Sequence, residues 1–161
     1  PHAFHDFHAD IVIDEEMMEV KDFSGEIDKS DFHFSGKVLN YAKWFQEVTK
    51  GDSRFEFDLV SNHLNISDLL TYNGVNYLPK DYQKEEIDKL NLKGSLDLHY
   101  DGQFKSADFY LTDLDGKFKV HPLRLHDFKG RVHYENDYLT MEDFGGKMGK
   151  SDFNFNLCYF L

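Results

Sequence analysis

One cysteine in 161 residues, Cys158, excludes an internal disulfide framework. Three prolines and a mean hydropathy of -0.60 exclude a proline-rich linker. No run of about 18 apolar residues occurs, so no segment reads as a membrane-crossing helix. Cations are scarce: 18 Lys and Arg face 30 Asp and Glu, for a net charge of -12. Nucleic-acid binding wants a basic footprint, and this balance disfavours it. The stretch Pro1-His2-Ala3-Phe4-His5 lacks the charged start and apolar centre of a secretory leader. Gly145-Gly146 precede Lys147, but no helical pattern follows, so a phosphate-cradling loop is excluded.

Aromatic residues are plentiful, with 16 Phe and 9 Tyr, and they favour pleated surfaces. The chain is organised around a repeat. Residues 22–35 and 143–156 share eight of fourteen residues, among them Lys29-Ser30-Asp31-Phe32 and Lys150-Ser151-Asp152-Phe153. Such a match marks a repeated structural unit. Met18 and Val20 alternate with polar residues before the first copy, and Leu139 and Met141 before the second. Phe32 and Phe34, and Phe153 and Phe155, alternate after them. This period-two pattern predicts matching hairpins over 18–36 and 139–155, each strand with one apolar face. Asp-Phe-x-Gly recurs at Asp127-Phe128-Lys129-Gly130, with a weaker echo at Asp113-Leu114-Asp115-Gly116. Gly25, Gly130 and Gly146 read as structural turns or bulges, in conformations a β-branched residue dislikes.

Taken in order, Phe7–Ile13 reads as a strand that turns at Asp14-Glu15-Glu16. Leu39, Ala42, Phe45 and Val48 sit near helical spacing, which predicts a short helix near 39–48. Arg54–Ser61 is the cleanest alternating strand. Ser67-Asp68-Leu69-Leu70 suits one helical turn. Residues 71–91, with Asn73-Gly74, Pro79 and a charged run from Lys80 to Lys89, read as an excursion loop. A meander follows: Ser95–Tyr100, a turn at Asp101-Gly102, Phe104–Leu111, Lys117–Val120, a strand start or edge at Pro122, then strands about Glu135-Asn136-Asp137. The expected fold is mainly β: an antiparallel meander of repeated hairpins forming an elongated curved sheet or groove, with one short helix. Residues 1–70 form a first block, 71–91 the excursion and 92–161 a second block, within one continuous domain. Both ends fall in strand-like sequence, so a fragment of a longer chain is expected.

No constellation points to catalysis or to a cofactor. His2, His5 and His8 would share a helix face and bind a metal, but their neighbours read as strand, which separates them. Nothing singles out two carboxylates for acid–base work. Ser30-Asp31 and Ser151-Asp152 occur once per repeat at turn-to-strand joints, which suits turn capping rather than nucleophilic chemistry. Cys158 has no His or basic neighbour to activate it. No catalytic residue and no metal ligand is assigned. The Phe, Leu and Ile stripes remain, and periodicity alone reads them as core.

The region from Gly130 to Phe155, with its Gly-rich stretch and Lys150-Ser151-Asp152-Phe153, and the matching segment from Lys29 to Leu39 resemble the AsmA-like proteins of Gram-negative cell envelopes. Phe57, Ser61, Leu64, Ile66, Asp68, Leu69 and Leu70 look like a further stretch of that family, in the style of its Bacteroidetes members. The family's N-terminal membrane helix is absent, and Asn156-Leu157-Cys158 departs from Ser35-Gly36-Lys37 of the first copy. The resemblance implies a non-enzymatic, periplasmic, groove-shaped sheet, anchored to the inner membrane through a segment absent from this sequence. It implies lipid transfer between membranes in support of outer-membrane assembly. Phospholipid or another acyl-chain lipid would be the ligand, and other envelope proteins further partners. On that reading Phe32, Phe34, Phe55, Phe57, Leu96, Leu98, Phe153 and Phe155 line the groove. The alternative is a secreted β-sandwich that binds carbohydrate or protein, which should expose Tyr or Trp on a flat face.

Overall fold

The computed structural model describes residues 4–46, 49–69, 71–72, 75–76, 79–120 and 124–160. Its main feature is one open antiparallel sheet. Nine strands follow one another across it: β1 (Phe4–Ile13), β2 (Met17–Ile27), β3 (Ser30–Leu39), β4 (Lys50–Asn65), β7 (Glu86–Asp101), β8 (Phe104–Phe118), β9 (Arg124–Glu135), β10 (Tyr138–Met148) and β11 (Ser151–Phe160). The short strands β5 (Thr71–Tyr72) and β6 (Val75–Asn76) form a separate hairpin. The expected meander is therefore observed. The expected helix is a 3-10 turn, Tyr41–Phe45, without a buried residue, and the single turn α1 spans Ile66–Leu69. His2, Val48, Asn73-Gly74 and Pro122 lie outside the described residues.

The repeat is built as the sequence predicts, and it is longer. β2, a two-residue turn and β3 correspond to β10, a two-residue turn and β11, displaced by 121 residues at every boundary. Both hairpins carry their register shift at the same place, between Val20 and Phe23 and between Met141 and Phe144. Asp28 (φ 54°) and Gly149 (φ 61°) occupy the same left-handed turn position. β1 corresponds to β9 by the same displacement: His5-Asp6-Phe7 matches His126-Asp127-Phe128, and Asp6 and Asp127 both have positive φ. The repeated unit is thus three strands.

Several readings are corrected. Gly25, Gly130 and Gly146 are not turns: each lies inside a strand with ordinary φ. They are small because something sits where a Cβ would be. That is the Phe7 ring at Gly25 (3.0 Å), the Phe144 ring at Gly130, and the backbone of Phe128 and His126 at Gly146 (2.8 and 2.9 Å). Asp127 and Asp143 have positive φ within β9 and β10, beside register shifts. Asp tolerates the left-handed region, so these Asp-Phe pairs mark bulges that re-aim the strand rather than turns. Likewise Asp113–Gly116 makes no turn: β8 is one strand from Phe104 to Phe118, with register shifts against β7 on either side of this stretch.

The excursion covers 66–85, not 71–91. Glu86–Asn91 belongs to β7, which pairs with β4 along its whole length and joins the two expected blocks into one sheet. Lys89 (φ 55°) breaks the alternation there, so Ile87 and Leu90, three residues apart, enter the same cluster with Leu64. Leu59, Ile66, Leu92, Leu114 and Phe118 pack against this cluster, which is the densest apolar core of the described residues. Glu85 is also buried, its carboxylate accepting the N–H groups of Lys119 (2.8 Å) and Val120 (2.9 Å).

Candidate functional site

The register of the sheet lines up one residue from each strand across its full width. Ile13, Met18, Val38, Phe55, Leu96, Phe109, Val132, Met141 and Leu157 are successive cross-strand partners, and all nine are apolar. The adjacent row, Glu19, Lys37, Glu56, Ser95, Tyr110, Arg131 and Glu142, is polar from β2 to β10, with Val12 as its β1 member. A further apolar row follows, with Ile11, Val20, Gly36, Phe57, Gly94, Leu111 and Gly130. Since side chains alternate across a pleat, the sheet has one apolar and one charged face.

The eight groove residues expected from sequence all lie on the apolar face, in separate clusters. Phe34, Phe55 and Phe57 form one, with centroids 6.4 and 5.4 Å apart, and Phe57 stacks on Phe109 at 6.2 Å. Phe32 belongs to a second, with Phe7 and Phe23. Phe153 and Phe155 join Phe128 and Phe144 in a third. Leu96 and Leu98 sit beside the first cluster, opposite Phe109 and Ala107. Val132, Met141 and Leu111 bridge the clusters. Sequence reading missed them, along with Phe7, Phe23, Ile11 and Leu157; at Phe7, Phe23 and Ile11 a register shift in the strand breaks the alternation. The signal was there in the repeated Asp-Phe pairs.

This face is open at its edge strands and half-buried between them. Ile11 and Leu157 are 49% exposed and Phe155 40%, whereas Val38 at the middle of β3 is 3% exposed. The chain's accessible surface is 10560 Å² for 19.0 kDa. A compact globular chain of that mass would show roughly 8,400 Å². The excess is what a single-layer sheet costs.

The opposite face is held by ion pairs between neighbouring strands. Arg54 reaches Asp97 (2.9 Å), Lys93 reaches Asp58 (2.8 Å), and Arg131 reaches Asp108 (2.6 Å) and Glu142 (3.2 Å); within β4, Arg54 also reaches Glu56 (2.8 Å). Burial pushes the Asp108 carboxyl up, but donors from Arg131 and His133 outweigh it and hold its pKa below the usual carboxylate value. Such exposed pairs each contribute about 0–1 kcal/mol, so they fix register more than stability. A shallow depression here is lined by Lys37, Glu56, Lys93 and Ser95 around Gly36 and Gly94. Of the histidines weighed for metal, His5 lies with Asp6 and Glu26, ligand atoms within 4.8 Å and all exposed. His8 faces Asp22 instead, at 3.6 Å.

The first Ser-Asp pair bonds across to β4 rather than only capping its own turn. In the first copy both Asp31 oxygens accept the Asn62 backbone N–H at 3.0 Å. Asp31 also accepts the His63 N–H at 2.8 Å, while Ser30 Oγ accepts the Asn65 N–H at 2.9 Å. β3 and β4 pair directly from His33↔Val60 to Leu39↔Arg54, and beyond that point these side chains take over from backbone carbonyls. Burial raises the Asp31 pKa, and the Asn62 and His63 donors more than offset it, so the net shift is downward.

Comparison with family models, with curated proteins and with solved structures gave no match.

Proposed function

We propose that the chain is a non-enzymatic segment that carries or shields acyl-chain lipid on its apolar face, in the manner the AsmA-like resemblance implies for the periplasm. The observation behind this reading is the row of nine apolar residues crossing every strand of the main sheet. Nine strands about 4.8 Å apart make a strip about 38 Å long. That is comparable with the ~30 Å hydrocarbon core of a bilayer. Lipid contact needs contiguous apolar surface, and each buried methylene contributes about 0.8 kcal/mol. The strip is Ile, Met, Val, Phe and Leu rather than Tyr and Trp. The one Trp, Trp44, lies in the 3-10 turn and is not a member of the strip. This composition favours lipid over carbohydrate. The sheet has no sandwich partner among the described residues, so the alternative loses its architecture as well.

The test is extraction of a fluorescent-tailed phosphatidylcholine from dioleoylphosphatidylcholine vesicles. Zwitterionic lipid suits a chain of net charge -12. Wild-type protein should extract the probe, and Phe155→Asp or Ile11→Asp should each lower extraction severalfold, since an unpaired carboxylate is strongly disfavoured against hydrocarbon. Both positions are already half-exposed, so the variants should fold. Asn154→Asp, on the charged face, should change nothing. Extraction no better than that of an unrelated acidic β protein, or equal loss in Asn154→Asp, would remove the proposal.

A further inference from the structure

β11 is the repeat counterpart of β3, and its outer side has no neighbouring strand among the described residues. In the first copy that side of β3 receives β4, and Ser30-Asp31 bind the far half of β4 through the N–H groups of Asn62, His63 and Asn65. The second copy keeps both residues, as Ser151-Asp152, in the same Lys-Ser-Asp-Phe sequence and at the same strand position. Here they are exposed, and the Asp152 carboxylate makes no side-chain hydrogen bond or ion pair among the described residues. Neither the turn nor β10 uses them. We infer that Ser151-Asp152 is a clamp for backbone N–H groups, and that the β11 edge accepts an antiparallel strand of β4's pattern.

The chemistry of the occupant follows from β4. Its first half alternates apolar and charged residues, as Phe55, Phe57 and Leu59 do with Arg54, Glu56 and Asp58, and would extend both faces of the sheet. Its second half presents two successive backbone N–H groups, which a carboxylate accepts through charge-assisted bonds. Strand addition of this kind draws affinity from the main chain and selectivity from alternate side chains. A second copy of this chain cannot supply its own β4, which is already paired on both sides by β3 and β7. The edge is thus matched to an extended segment supplied from outside residues 1–161. The two edges share Ser, Asp and both Phe residues and differ at the other six positions; the difference that matters for pairing is Leu157, which stands where Gly36 faces the Glu56 carbonyl, 2.8 Å from where a Cβ would be. The incoming strand is therefore held chiefly along Ser151–Asn156.

This inference is independent of lipid binding, and its test uses none. A fluorescently labelled peptide with the sequence of residues 50–65 is titrated with the protein and followed by anisotropy. Saturable binding is expected, weakened at least tenfold by Asp152→Ala and little changed by Asp10→Ala on the β1 edge. Circular dichroism of Asp152→Ala should match wild type, because that side chain has no partner to lose. Register is read by disulfide trapping. In a Cys158→Ser background, Asn154→Cys should cross-link to a Val60→Cys peptide, as His33 faces Val60 in the first copy, and not to a Phe57→Cys peptide. Absence of binding, binding indifferent to Asp152, or cross-linking at both positions overturns the assignment. So does Asp152-dependent dimerisation of the protein without peptide uptake, which would make the edge a self-association surface.

Discussion

Asp31 shows how one side chain ties two strands. Its carboxylate replaces the carbonyls that β3 no longer offers to β4, and its pKa is lowered by the donors it accepts. A carboxyl whose folded pKa lies below its unfolded value, about 3.9, stabilises the fold above that value. The contribution is lost as pH falls through the folded pKa, because the unfolded chain then binds the proton more readily. Asp31→Ala should therefore cost about 2 kcal/mol at neutral pH, the range for hydrogen bonds to a charged group. The difference between wild type and variant, measured by urea denaturation, should be level from about pH 6 to pH 8 and shrink below about pH 4. Asp152→Ala, the same residue type in the other copy, should stay within about 0.5 kcal/mol of wild type at every pH. Equal costs at the two positions would mean that the Asp31 hydrogen bonds contribute nothing beyond the repeat itself. The sequence made both Ser-Asp pairs visible as a repeat but hid their role, since their acceptor function depends on a strand some 30 residues away.

At the scale of the element, strand and turn order was legible wherever alternation ran unbroken. Arg54–Ser61, the hairpin turn at Asp101-Gly102 and the paired hairpins at 18–36 and 139–155 are all present. Legibility failed where a residue with positive φ sits inside a strand. Lys89 made Glu86–Asn91 look like a charged loop, although Ile87 and Leu90 are 7% and 4% exposed. Asp127 and Asp143 made the following glycines look like turns. A bulge adds one residue to one strand and changes which positions face the core, and a period of two cannot register it. The consequence can be measured by hydrogen exchange. Ile87, Leu90 and Leu92 should be among the slowest amides, since Ile87 and Leu92 pair on both sides, Leu90 pairs with Ser61 of β4, and the stretch packs on Leu64. Lys80 and Asp81, both charged and exposed in the short 3-10 turn Lys80–Tyr82, should exchange fast. Fast exchange at Leu90 would mean that the bulge loosens β7 rather than directing Leu90 inward.

The whole molecule is a sheet one layer thick, and its stability is distributed accordingly. Each strand of the main sheet meets mainly its two neighbours, so the fold behaves as a linear array in which interfaces between successive strands add up. The central pair β4–β7 is the longest ladder, and β1 and β11 close the sheet with one neighbour each. An apolar face of this extent, left against water, wastes the stabilisation that a second layer would supply. Anything that covers it in the folded state alone must raise the unfolding temperature by mass action. Micelles of a non-ionic detergent such as dodecyl maltoside offer such a cover without a charged headgroup, so the net charge of -12 does not oppose them. Above the critical micelle concentration the midpoint of thermal unfolding, followed by circular dichroism, should rise by several degrees. A compact β protein with a closed core gives the baseline, and its midpoint should not rise. Ile11→Asp and Phe155→Asp should lose most of the gain, because they place carboxylates near opposite edges of the strip, while Asn154→Asp should retain it. A midpoint unmoved in wild type would mean that the face is already satisfied by its own ring clusters, and the case for an external apolar partner would then rest on the vesicle experiment alone.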